Sequence, residues 1–237
     1  MLIFKLFLLQ FSAHLLSDFI FQPQTWSDHK SKRIVTRHHL YHISIVFVSS
    51  YILSFDFGFW KAALVLTSLH FITDILKSYL QIDDKTNVRS YFFLDQLIHL
   101  VILILVTYVY DYCFGIDFLV NIETKTIAII TGCILCTKPA NIIIKNLFIT
   151  FSINIPNDDE TDSGEKSIPN AGKLIGITER LLALALIILG QYEAVGLIIA
   201  AKSILRFSDP LKSEYVLVGT LLSFGIAAFT GILINIL

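Results

Sequence analysis

His70-Phe71-Ile72-Thr73-Asp74-Ile75-Leu76-Lys77 and Asp95-Gln96-Leu97-Ile98-His99 each place one histidine and one aspartate four residues apart in apolar surroundings. On a helix that spacing puts both side chains of a pair on one face. Ionisable groups within long apolar runs are costly to keep there and tend to be functional. A short polar turn over residues 81–90, with Lys85 and Arg89, separates the two motifs. The reading predicts two antiparallel helices, 60–80 and 91–110, whose polar pairs lie near the shared turn.

Further pairs lie upstream. His14, Asp18 and Gln22 recur every four residues in a predicted helix over 2–21, which Pro23 stops. A basic connection with Lys30, Lys32, Arg33 and Arg37 leads to a helix over 38–55. His38 and His42 stand one turn apart at its start, and His39 falls on a different face. Downstream, a helix over 126–151 contains Lys138-Pro139, which predicts a kink. Three more helices are expected over 174–189, 194–207 and 214–237, the second short for a span.

Composition agrees with this reading. The chain has 237 residues, 55% of them hydrophobic, and a mean hydropathy of +0.72, which is above soluble usage. Apolar runs of spanning length recur and do not alternate, which excludes a barrel. The fold class is therefore all-α, a polytopic membrane protein of about eight transmembrane helices. Residues 1–151 form a five-helix part carrying the His/Asp pairs, 152–173 a polar cytoplasmic loop expected to be mobile, and 174–237 a three-helix part. A net charge of −1 gives no case for nucleic acid, and three cysteines without paired spacing give none for a disulfide framework. Lys5 is the only basic residue of the apolar N-terminus and no cleavage signal follows, so this is read as a retained helix rather than a signal peptide.

With eight spans, one side collects Lys30, Lys32, Arg33, Arg37, Lys77, Lys85, Arg89, Lys145, Lys166, Lys173, Arg180, Lys202, Arg206 and Lys212. The other side has Lys5, Lys61 and Lys125, with Lys138 in mid-span. The basic side is expected to be cytoplasmic. His14, Asp18, His38, His42, His70, Asp74, Asp95 and His99 then all fall at the cytoplasmic ends of the first four helices.

Imidazole and carboxylate together suit a divalent metal, Zn, Mn or Fe, and the carboxylates can bridge two ions. Alternatively, each histidine pairs with an aspartate and the pairs lock the bundle. Gln22 and Gln96 would orient ligands or satisfy nearby backbone. Lys77 would hold a phosphate or headgroup, or snorkel to the interface. Lys30, Lys32, Arg33 and Arg37 would bind anionic lipid or simply set topology. Glu179, Arg180, Lys202, Arg206 and Glu214 would hold an anionic substrate or neutralise one another. Gly196 with Ala200, and Gly219 with Ser223, read as helix contacts. Cys133-Ile134-Leu135-Cys136 has redox spacing but lacks a redox context.

At these residues the chain resembles a bacterial membrane family catalogued as domain of unknown function 3307. The matching pieces are His14-Leu15-Leu16-Ser17-Asp18-Phe19 with Gln22, Trp26 and Lys30 in the basic connection, His38 with His42, His70-Phe71-Ile72-Thr73-Asp74 with Lys77, and Asp95-Gln96 with His99. The resemblance spans about residues 2–111. It implies a shared site and says nothing of a reaction.

Two functions follow. In the first, the eight His and Asp residues ligate a divalent metal. Asp74, Asp95 and Lys77 would serve catalysis in a hydrolase of the bacterial inner membrane acting on a lipid or lipid-linked phosphate or ester. In the second, the same groups carry protons or a cation in a transporter or ion-binding protein. A non-catalytic membrane subunit is the third reading. Membrane lipids are the expected partners.

Overall fold

The computed structural model describes residues 1–30, 35–83, 88–153, 171–206 and 213–237. Every regular element among them is helical: α1 (Leu2–Leu15), continued by a π-helical turn (Leu16–Ile20), α2 (Gln24–Lys30), α3 (Arg37–Ser54), a 3₁₀ turn (Phe57–Phe59), α4 (Trp60–Asp83), α5 (Val88–Phe114), α6 (Thr124–Leu135), α7 (Lys138–Thr150), α8 (Ala171–Ile188), α9 (Tyr192–Arg206) and α10 (Ser213–Ile236). The short α2 lies in what the sequence presents only as a basic connection. The expected kink at Lys138-Pro139 is a full break, with α6 and α7 bent by 48°. Proline has no N–H to give the preceding turn, so one helix does not run through.

Among the described residues, four stretches are long and apolar enough to cross a membrane: Leu2–Ile20, Phe57–Ile82, Val88–Phe114 and Leu217–Ile236, with the bent α6–α7 pair as a fifth. This corrects the expectation of eight. Helix α3 is diluted by Arg37, three histidines and four serines, α8 carries Lys173, Glu179 and Arg180 within 18 residues, and α9 has only 15 residues.

The chain divides into two compact units, Met1–Thr131 and Gly132–Leu237. The division falls inside α6, upstream of the boundary expected at residue 151, which lies within the second unit. The expected polar loop over 152–173 lies mostly outside the described residues.

In the first unit α1 packs on α3 and α5, and α4 packs on the same two, so the four helices close into a ring. Its apolar core gathers Leu6, Val46, Phe59, Leu66, Leu103 and Val106. The polarity of the ring is inverted relative to a water-soluble bundle. On α5, Asp95, His99 and Thr107 are buried, whereas Leu94, Leu97, Val101, Ile104, Leu105 and Tyr108 are exposed. Polar interior and apolar exterior are what a lipid-facing bundle requires.

The connection from α3 to α4 shows how tightly the end remote from the site is closed. Phe55 ends α3 in the left-handed region at φ 49°. The Asp56 carboxylate accepts from Gly58 N at 2.8 Å, Tyr110 Oη at 2.9 Å and Asp117 N at 3.2 Å. A Cβ on Gly58 would lie 2.8 Å from the Tyr110 hydroxyl, so a larger residue would displace it. Two interhelical pairs tie α1 inside the unit. Gln10 Nε2 donates to the Ser50 carbonyl at 3.0 Å while Ser50 Oγ donates back to Gln10 Oε1 at 2.6 Å. The Ser12 and Thr131 hydroxyls meet at 2.7 Å.

In the second unit α8 and α10 pack closely. A Cβ on Gly231 would come within 2.6 Å of the Ile187 side chain. The expected contact at Gly219 and Ser223 is present: a Cβ on Gly219 would meet the Phe148 ring at 3.1 Å, and Ser223 accepts from Arg180. Gly196 and Ala200 make no such contact. Both are exposed, because α9 turns Val195 inward instead.

Candidate metal centre at the heart of the first unit

Asp18 is the hub of the His/Asp cluster. It sits on the π-helical turn, where Phe21 N donates to Leu16 O at 2.8 Å, five residues back. Such turns are rare and often mark functional sites. Its Oδ1 lies 3.6 Å from His14 Nδ1 on α1, 3.5 Å from His42 Nε2 on α3 and 3.5 Å from His70 Nε2 on α4. His42 Nε2 and His70 Nε2 are 3.0 Å apart. Asp74 joins through Oδ2, 3.7 Å from His42 Nε2. On α5, His99 stacks on His70 with ring centroids 4.0 Å apart and lies 5.3 Å from the His14 ring.

Carboxylate–imidazole separations of 3.5–3.7 Å are too long for hydrogen bonds. They fit donor atoms arranged around a common centre. A point equidistant from Asp18 Oδ1, His42 Nε2 and His70 Nε2 lies about 1.9 Å from each, close to metal–ligand bonds of about 2.0–2.2 Å, so these three residues would hold a divalent ion. Three overlapping groups have one donor atom per residue within 4.8 Å of one another: His14, Asp18, His70 and His99; His42, His70 and Asp74; and Asp74, Asp95 and His99.

Neighbouring groups fix which nitrogens carry protons. Gln96 Nε2 donates to Asp95 Oδ2 at 3.2 Å, so Gln96 Oε1 is left to accept from His14 Nε2 at 3.2 Å. That assignment leaves a lone pair on His14 Nδ1, facing Asp18. Thr73 Oγ1 donates to the His70 carbonyl at 2.8 Å and so accepts from His99 Nε2 at 2.6 Å. His99 Nδ1 then also presents a lone pair, 3.7 Å from Asp95 Oδ2. Neither His99 Nδ1 nor Asp95 Oδ1 has a hydrogen-bond partner, and both are buried. Lone pairs facing carboxylates repel unless a cation or a proton lies between them.

Lys77 Nζ lies 2.7 Å from Asp95 Oδ2 and supplies one positive charge. With neutral imidazoles, Asp18, Asp74 and Asp95 against Lys77 leave two negative charges, which one divalent cation cancels. The seven converging residues are all between 0 and 9% exposed. Gln10, His14, Ser17, Ser50, His70 and His99 help to line an internal cavity of about 10 Å³, the lower limit for a single water.

His38 does not join them. Its Nε2 lies 2.9 Å from His29 Nδ1, and its ring stacks on His29 and Trp26. One turn before His42 on a helix at the edge of the ring, it meets α2, an element absent from the sequence reading. His39 is buried as a helix cap: the Thr36 N–H donates to its Nδ1 at 3.1 Å. Ser17, Thr73 and His29 were not singled out from sequence. A hydroxyl or imidazole beside each motif was the only available signal.

Among the second-unit polar residues, Glu179 and Lys202 form an ion pair. Arg180 is buried and bonded to neutral acceptors. The side chains of Arg206 and Glu214 lie outside the described residues.

The family described as protein of unknown function (DUF3307) matches residues 6–125. The chain belongs to this family. The matched span contains the whole His/Asp cluster of this DUF3307 member, together with the ring of helices that holds it. No curated protein and no solved structure matches the chain.

Proposed function

We propose that this protein is an integral protein of the bacterial cytoplasmic membrane that holds a divalent metal in its first helical ring and uses it to hydrolyse a lipid or lipid-linked phosphate or ester. The observation that carries the reading is the triangle of Asp18 Oδ1, His42 Nε2 and His70 Nε2, with edges of 3.5, 3.5 and 3.0 Å. His14, Asp74, Asp95 and His99 complete the donor set. The donors suit Zn, Mn or Fe, and the bound ion would supply Lewis acidity. Asp95 is the group best placed to accept a proton, since Oδ2 is held by Lys77 and Gln96 while Oδ1 is unengaged. The basic residues around Arg37 and Arg89 support a cytoplasmic location for this end of the ring. The apolar core cluster at the other end supports access from one side only.

The complete burial of the cluster favours a second reading, a bound ion or proton store without hydrolysis. Elemental analysis of the purified protein tests the metal itself. The expected result is at least one equivalent of a first-row divalent metal in the wild type and none in Asp18→Asn, which still folds. A metal-free wild type, together with a lowered melting temperature in Asp18→Asn, would show that the cluster is interhelical hydrogen bonding. Ester or phosphomonoester hydrolysis by the metal-loaded protein separates the first reading from the second.

A further inference from the structure

We infer that the second unit carries an oxyanion-binding pocket at Arg180, for a phosphate group presented free or on a lipid headgroup. Arg180 lies on α8 and is 2% exposed. Its Nε donates to the Cys136 carbonyl at 2.7 Å and one Nη2 proton to the Thr137 carbonyl at 3.2 Å. The Cys136 carbonyl is left open at the break between α6 and α7, while the Thr137 carbonyl also receives the first backbone bond of α7, from Asn141 N at 3.5 Å. The other Nη2 proton goes to Asn141 Oδ1 at 2.6 Å and one Nη1 proton to Ser223 Oγ at 3.1 Å. A guanidinium has five N–H groups, so one on Nη1 is unspent.

The charge is also unspent. Among the described residues no carboxylate lies within ion-pair distance of Arg180, and Glu179 beside it is engaged by Lys202. A buried charge without a counter-charge is costly, and an anionic ligand removes that cost. Space is present for one. Arg180, Asn141, Lys202, Thr220 and Ser223 help to line a pocket of about 190 Å³, whose wall also includes Glu179, its carboxylate paired with Lys202. That is below the size of drug-like sites and suits a small headgroup rather than a whole lipid. Gly176 keeps the approach to the guanidinium clear, because a Cβ there would lie 3.3 Å from Nη1. The planar fork and the neighbouring hydroxyls are the chemistry that recognises phosphate oxygens.

The test uses the full-length protein in detergent and in nanodiscs. Two variants are compared with the wild type: Arg180→Gln, and Gly176→Ala, which leaves Arg180 intact and favours the helix. If free phosphate is the ligand, millimolar inorganic phosphate raises the wild-type melting temperature by a few degrees. Gly176→Ala then still folds but loses that shift. If a lipid headgroup is the ligand, inorganic phosphate has no effect. Native mass spectrometry then finds phosphatidylglycerol retained from phosphatidylcholine/phosphatidylglycerol nanodiscs by wild type and not by Gly176→Ala. The proposal is overturned if wild type responds to neither, or if Gly176→Ala responds as wild type does. Arg180→Gln should lose the same signal, and if it fails to fold the Gly176→Ala comparison decides.

Discussion

His42 and His70 face one another from adjacent helices with their Nε2 atoms 3.0 Å apart, and both stand 3.5 Å from the same Asp18 oxygen. Two neutral imidazoles can share one proton across that gap, so the nitrogen that accepts it has no proton to offer the Asp18 oxygen 3.5 Å away. A cation at the centre resolves the conflict for all three atoms. Replacing either histidine by alanine is therefore expected to weaken metal binding by more than the about 10–100-fold typical of an outer hydrogen-bond partner. Competition with a chelating dye checks this.

Gln96 is not itself a proposed ligand, but through its bond to Asp95 it sets the His14 tautomer. Gln96→Leu should lower metal affinity by about 10–100-fold without abolishing binding. Gln96→Glu should restore less than the wild-type affinity, because Asp95 would then face a second carboxylate. The same dye competition reads both. Unchanged affinity in Gln96→Leu would show that the His14 tautomer is irrelevant.

Lys77 neutralises a carboxylate that is almost fully buried, although the lysine itself is a quarter exposed. Lys77→Met should destabilise the protein by roughly 2 kcal/mol, less than a fully buried pair because solvent screens the ammonium. Lys77→Met with Asp95→Asn should recover most of the loss. Thermal unfolding in one detergent measures both. A double variant as unstable as the single one would rule out charge pairing as the cause.

The reciprocal Gln10–Ser50 pair crosses from α1 to α3 inside the ring. Ser50→Ala removes one of its two bonds and should cost about 1 kcal/mol, the scale of interhelical hydrogen bonds in membranes. Metal content should not change. A parallel loss of metal would place this pair in the site rather than beside it.

Cys113 is exposed near the end of α5, whereas Cys136 is fully buried and Cys133 partly so. A membrane-impermeant maleimide should label Cys113 from the outer face of right-side-out vesicles and leave Cys136 unmodified. Labelling of Cys113 only from the cytoplasmic face would invert the proposed orientation, and with it the leaflet from which the His/Asp end is reached.

Much of the first unit was legible because its signals are local. A four-residue spacing fixes a common helix face whatever the neighbours do, and a proline fixes a break. So the pairs His14/Asp18, His70/Asp74 and Asp95/His99, and the interruption at Pro139, could be placed from residue type and interval alone. The number of spanning helices was not legible in the same way. Apolar runs in α3 and α8 are diluted both by buried groups, such as His39, His42 and Arg180, and by exposed ones, such as Arg37 and Lys173, and hydropathy does not distinguish the two.

The sequence by itself determined that the chain is helical and which His and Asp residues share a face on each helix. Only the tertiary structure decided which faces meet. It set His42 against His70 and Asp18, sent His38 one turn away to pair with His29 on a helix with no strong sequence signal, and placed Asp18 on a π-helical turn. It also bonded Arg180 to the Cys136 and Thr137 carbonyls at the break before Pro139 rather than to a neighbouring acid. The physical reason is that helical periodicity is written into covalent spacing. Convergence of side chains from four helices depends on how the ring closes and how a backbone turn widens, and no interval along the chain encodes those.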